Sequence, residues 1–194
     1  MVYVGIDPSL KRSAVSYYDP NSNKFVITSF PKTLQVKKGF EDIYLDANLI
    51  SDEVSKYISG ISNELCVISE IPPPQGQYSP ALYAYDSLLI HKLQEQGSVK
   101  EFYRVYPNYL GHVHKKRKYA KSESVVLARG IIERIKQVGA KFYNTSSRFN
   151  HDESESFIFL CRLLVLKGMF VDEISFVEGL THEKEKLMWR NNYG

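Results

Sequence analysis

The chain has 194 residues, enough for one domain with at most a small appendage. With 43% hydrophobic and 24% charged residues it has the makeup of a globular protein whose core needs no disulfide or metal to hold it. A net charge of +3 says little about partners, so the arrangement of charge matters more than its total, and the lack of an apolar run of about 18 residues excludes a membrane-spanning helix.

The opening predicts three strands, Val2–Ile6, Ser13–Tyr18 and Lys24–Ser29. The turn cluster Asp19-Pro20-Asn21-Ser22-Asn23 makes the second and third an antiparallel hairpin. Leu45, Leu49, Val54 and Ile58 sit near helical spacing in a helix over Ile43–Ile58, closed by Gly60. Leu65-Cys66-Val67-Ile68 is a continuous apolar run, as in a central strand buried on both faces. It leads to Glu70 and then Pro72-Pro73-Pro74, which cannot continue a ladder. Ser79-Pro80 predicts a helix start with Ser79 as N-cap, and Leu82, Tyr85, Leu88, Leu89 and Leu93 follow before Gly97. Glu101–Tyr106 reads as a strand ended by Pro107. A helix over Ser122–Val138 and a buried, almost wholly apolar helix over Asp152–Lys167 follow. The order βββ-α-β-α-β-α-α points to a layered α/β domain.

Cys66 and Cys161 lie in apolar runs and read as buried, reduced thiols. Met1-Val2-Tyr3-Val4-Gly5 lacks the regions of a signal peptide, so the expectation is a soluble, cytoplasmic protein.

Four acids fall at the ends of predicted elements. Asp7 follows the first strand, where it also suits a turn initiated by Pro8. Glu70 ends the buried strand, which as a plain strand end would be exposed. Asp152 and Glu155 open the last helix, and Asp-x-x-Glu is itself a capping-box pattern. If the first strand and the Leu65–Ser69 strand lie parallel and adjacent, Asp7 and Glu70 become neighbours. Asp152 and Glu155, at i and i+3, share a helix face that could meet them. Uncompensated, such carboxylates repel one another, and divalent cations supply the missing charge. Mg²⁺ suits carboxylate and phosphate oxygens, and two ions about 4 Å apart can serve phosphodiester hydrolysis.

Gly5-Ile6-Asp7-Pro8-Ser9-Leu10, the Glu70 strand end, and His151-Asp152-x-x-Glu155 occur in an order and spacing that resembles the RuvC-type Holliday junction resolvases, over about residues 1–168. The resemblance implies an α/β, ribonuclease H-like domain with a five-stranded mixed sheet flanked by helices. It implies Asp7, Glu70, Asp152 and Glu155 as catalytic ligands of two Mg²⁺ or Mn²⁺ ions, in a homodimer that cuts four-way DNA junctions. Lys121 falls where that family brings a lysine to DNA, and Tyr78 where it inserts an aromatic at the crossover. Ser9 and Ala14 stand where many members have glycine, which suits divergent, viral-type branches, and Glu155 replaces an aspartate. Residues 169–194 form an extension with no counterpart. The expected location is the cytoplasm of a bacterial or virus-infected host cell.

Lys115, Lys116, Arg117, Lys118 and Lys121 place five cations in seven positions, either a solvated loop or phosphate contacts beside the acids. The 14 Tyr and 10 Phe make stacking available, and Tyr109 and Tyr119 flank this loop. His151 could orient water or protonate a leaving group. The Ser79–Gln96 helix is the candidate dimer face. The expected activity is a structure-selective, Mg²⁺-dependent endonuclease acting on branched DNA in recombination or repair, away from membranes. The rivals are a ribonuclease H or flap nuclease of the same fold, and a catalytically degenerate nucleic-acid binding module. An actin-like ATPase would need duplicated domains and glycine-rich phosphate loops that this chain lacks.

Overall fold

The computed structural model describes residues 1–31, 40–72, 80–105, 121–145, 149–177, 180 and 188–190. The elements are β1 (Val2–Asp7), β2 (Arg12–Asp19), β3 (Lys24–Pro31), α1 (Phe40–Ser59), β4 (Leu65–Glu70), α2 (Pro80–Glu95), β5 (Val99–Val105), α3 (Lys121–Gln137), β6 (Lys141–Asn144), α4 (His151–Leu166), α5 (Val171–Ile174) and β7 (Met188–Arg190).

They build one mixed sheet in the order β6-β3-β2-β1-β4-β5-β7. The hairpin pairs β2 with β3, and β1 runs antiparallel to β2 and parallel to β4. The sheet has seven strands where five were expected. The five expected strands form its centre, and β6 and β7 extend the two edges. Neither edge strand has the alternation by which a strand is read from sequence, because β6 has four residues and β7 three.

Alternation along the central strands sorts their side chains between two layers. Val2, Val4 and Ile6 of β1 and Leu65 and Val67 of β4 face α1 and α2, packing with Val54, Ile58, Tyr85, Leu89 and Leu93. Cys66 and Ile68 face the other way, into a core with Phe157, Leu160 and Leu164 of α4 and Ile131 and Ile135 of α3. Burial fixes this register, since a slip of one residue would exchange the two faces. Ile174 and Val177 join the second core, and the Arg162 guanidinium donates to the Leu180 carbonyl at 2.7 Å, so the described residues 169–177 and Leu180 pack on the domain. Both cysteines are buried free thiols, and burial pushes the Cys66 thiol up to about 12. Among the described residues, no helix is long and apolar enough to cross a membrane.

Candidate active site

Asp7 and Glu70 end adjacent parallel strands. Ile6 is in register with Ser69, so the two acids leave the sheet side by side. By alternation, Tyr3, Gly5 and Asp7 share the face of β1 turned to α4, as do Cys66, Ile68 and Glu70 on β4.

α4 closes over that face at Gly5. A Cβ added to Gly5 would meet the Ser156 carbonyl oxygen and would lie 2.6 Å from the Leu160 amide nitrogen. Glycine is required here for close approach and not for an unusual backbone conformation. Ser156 also meets Ser16, the cross-strand partner of Gly5, with a 2.7 Å hydrogen bond between the hydroxyls. One turn earlier, Glu153 accepts from Ser29, which pairs with Ala14 and thus lies level with Asp7. The first turn of α4 therefore sits at the same sheet end as Asp7 and Glu70.

On the helix wheel, Glu153 and Glu155 fall on opposite flanks of Ser156. Glu153 is drawn towards β3 and β6, where Ser29 and Asn144 donate to it. Glu155 is thereby turned towards β4, and its carboxylate acts on Glu70. Burial, reinforced by Glu155, pushes the Glu70 carboxyl up to about 8, while Arg104 pulls the other way. Asp7, Asp152 and Glu155 are all buried, at 7%, 9% and 8% exposure. These are low values for acids, which are almost never fully buried unless paired.

The expected alternative of a cap made by Asp152 and Glu155 is overturned. Asn150 is the N-cap: its side chain accepts from the Glu153 amide at 3.1 Å, and the Glu153 carboxylate accepts from the Asn150 amide at 3.1 Å. The helix begins at His151, one residue before its expected start. His151 Nε2 lies 2.9 Å from Asp152 Oδ1. Glu70 is also more enclosed than a plain strand end, being only part-exposed.

Two further contacts at this sheet end had no signal in sequence spacing. Arg104 of β5 donates to both carboxylate oxygens of Asp86 in α2, at 2.9 and 2.8 Å, and both residues are buried. Arg104 is in register with Ser69, one position before Glu70, on the face opposite α4. Ser13 and Tyr85 share a 2.7 Å buried hydrogen bond, and Asp7 contributes to the raised pKa of the Tyr85 hydroxyl after burial itself and Asp86 alongside.

Among the described residues, no three Asp, Glu, His or Cys side chains stand close enough to enclose a metal ion. The chemistry of the donor set still fits one. It is made of carboxylate oxygens, the ligands Mg²⁺ and Mn²⁺ prefer, and Glu70, raised first by burial and then by Glu155, would be relieved by a cation beside it. Tyr78, Lys115, Lys116, Arg117 and Lys118 lie outside the described residues, as do Tyr109 and Tyr119. Lys121 begins α3, with its backbone alone described.

No protein-family model matches the chain, and no curated protein matches it. Among solved structures, it is similar to Thermus thermophilus RuvC, with 14% identity over 87% of this chain and 98% of that one and a TM-score of 0.50. It is similar also to T. thermophilus RuvC in complex with Holliday junction substrate, with 14% identity over 87% and 96% and a TM-score of 0.54. The human cytomegalovirus terminase nuclease domain is a looser likeness, with 13% identity over 98% and 87% and a TM-score of 0.44. The RuvC likenesses bear out the expected fold class: the chain is an α/β protein of the ribonuclease H-like fold. At this identity a likeness shows the fold, and activity has to be argued from the site.

Proposed function

We propose that the protein is a divalent-cation-dependent nuclease that cuts branched DNA, four-way junctions above all. The observation that carries this reading is the enclosure of Asp7, Glu70, Asp152 and Glu155 at one sheet end, with Glu70 held up to about 8 by burial and by Glu155. Buried carboxylates set against one another destabilise a fold, and a site that keeps them is suited to cations and phosphates.

In this reading the four acids hold one or two Mg²⁺ or Mn²⁺ ions. When bound, such ions neutralise phosphate charge and activate water for in-line attack. The chain's own residues supply the frame. Asn150 and Glu153 fix the first turn of α4, and Gly5 lets that turn settle on β1. His151 meets Asp152 Oδ1, which orients that carboxylate and leaves an imidazole at the rim for proton transfer to a departing oxygen. The cations Lys115, Lys116, Arg117, Lys118 and Lys121 would contact phosphates, and Tyr78 would meet unpaired bases. A homodimer through α2 would present two sites to a symmetric junction.

The test is cleavage of a mobile four-way junction, a flap and an RNA–DNA hybrid with Mg²⁺ or Mn²⁺, by the native protein and by Asp7→Asn. Cleavage of the junction in preference to the other two, lost in Asp7→Asn with junction binding retained, is the expected result. Full activity in Asp7→Asn would remove the reading, and preference for the hybrid or flap would move the substrate within the fold. A second reading is a nucleic-acid binding module without catalysis, kept open by Glu155, whose extra methylene alters the ligand spacing. Calorimetric titration with Mn²⁺ separates the two, because the module would take up no ion.

A further inference from the structure

On the same face of the sheet as the acids, but at its far edge, α3 and β6 flank an open cleft of about 440 Å³. That size is in the range of small-molecule sites, roughly 300–1,000 Å³, and is too small for a duplex. Its floor is apolar and aromatic, with Ile132, Phe142 and Phe149, and its rim carries Arg129, Lys136 and Asn144.

Arg129, Ile132, Glu133 and Lys136 form an i, i+3, i+4, i+7 stripe beside the buried Ala128, Ile131 and Ile135. The two cations are about 10 Å apart along the helix. The acid in the stripe, Glu133, is bound to Lys136 at 3.0 Å. The cleft thus carries two cations and one acid, itself paired with Lys136, over an aromatic floor.

One hydrogen bond links this cleft to the first turn of α4. Asn144 on its rim donates to Glu153, the residue that follows Asp152. Asn144 is level with Gly5 through Ile27 and Ser16, three strand spacings or about 14 Å away. A DNA strand in B-form geometry covers that distance in about four nucleotides.

We propose that the α3–β6 cleft receives an unpaired nucleotide of the strand held at the acid site, its base against Phe142 and Phe149 and its flanking phosphates on Arg129 and Lys136. Aromatic faces take any base with little sequence preference, and the paired cations take the backbone. The proposal rests on the nuclease reading for its strand, but it adds a separate subsite that binds without cleaving.

Binding of a labelled single-stranded oligonucleotide, and of a duplex of equal length, is measured by fluorescence anisotropy in EDTA over a salt series. Cleavage with Mg²⁺ is followed in parallel. Arg129 and Lys136 are exposed, so Arg129→Gln with Lys136→Gln should fold, as thermal melting would verify. The expected result is a loss of about tenfold or more in single-strand affinity, with the log K against log salt slope shallower by about 1.4. Phe149→Leu keeps an apolar side chain and removes the ring. It should weaken single-strand binding about tenfold with the salt slope unchanged and duplex binding barely altered.

Unchanged affinity and salt slope in the double variant would overturn the proposal, as would a native protein that binds no single strand. A change in self-association instead, seen by sedimentation, would make the cleft an interface with a second copy and would equally overturn it. Native protein that binds through Arg129 and Lys136 but never cleaves would retain the subsite and end the nuclease reading. Cleavage with the double variant binding normally would do the reverse.

Discussion

Gly5 of β1 and Ser156 of α4 meet backbone to backbone, and this contact sets the height at which the first turn of α4 crosses the sheet. Everything placed near Asp7 by that turn depends on there being no side chain between the two.

Gly5→Ala should therefore both destabilise and misplace. The added carbon would press on the Leu160 amide nitrogen at 2.6 Å and on the Ser156 carbonyl, which are backbone atoms of a buried helix and cannot swing aside. Overpacking of this kind costs about 1–3 kcal/mol or more. For a chain of this length that lowers Tm by roughly 3–10 °C. Thermal melting by circular dichroism measures it, and a variant as stable as the native protein would contradict the close packing.

Asn150 and Asp152 should separate cap from site. Asn150→Ala removes the acceptor for the Glu153 amide and should cost about 1 kcal/mol, in the range for lost N-caps. Asp152→Asn leaves that cap in place and removes one negative charge from a buried group of acids, so it should cost no more stability than the lost cap. Under the proposed function it should nonetheless abolish cleavage. Urea denaturation together with the cleavage assay reads both.

The Arg104–Asp86 pair should behave as a buried bidentate ion pair. Arg104→Met strands the Asp86 carboxylate in the interior and should cost about 3–5 kcal/mol. Combining it with Asp86→Leu should restore much of the loss, because no uncompensated charge is left. A double-mutant cycle in urea checks this, and strict additivity of the two changes would show the pair to be uncoupled.

Glu70 predicts how stability responds to pH without divalent cations. Its folded pKa of about 8 lies above the ordinary glutamate value, so between the two the native state binds more protons than the unfolded state. The Glu70 contribution is then fully present below about pH 4 and is lost as pH rises through 8, by a few kcal/mol at most. Glu155→Gln removes part of the cause and should flatten the decline. In the proposed reading Mg²⁺ or Mn²⁺ should flatten it too. Chemical denaturation across pH 5–9, with and without cation, measures the effect.

Local pattern was enough for the middle of this fold. The hairpin of β2 and β3, the apolar run of β4 and the burial of α4 all follow from periodicity and turn residues that act over a few positions. So did the suspicion about Asp7 and Glu70, since each ends a strand that its own sequence makes central. The edges were not legible, because β6 and β7 are strands by virtue of the neighbours they pair with. Nor was the cap. Asn150-x-x-Glu153 and Asp152-x-x-Glu155 both satisfy the same local rule, and only Ser29 and Asn144, brought in by other strands, show Glu153 to be the member engaged there. Arg104 and Asp86 were two unremarkable charges 18 positions apart until the sheet and α2 enclosed them together. Sequence determined which central segments would be strands and helices, because hydrophobic spacing is a local property. Tertiary structure decided which charges face one another, because burial and electrostatic strain exist only once distant segments share the same low-dielectric space.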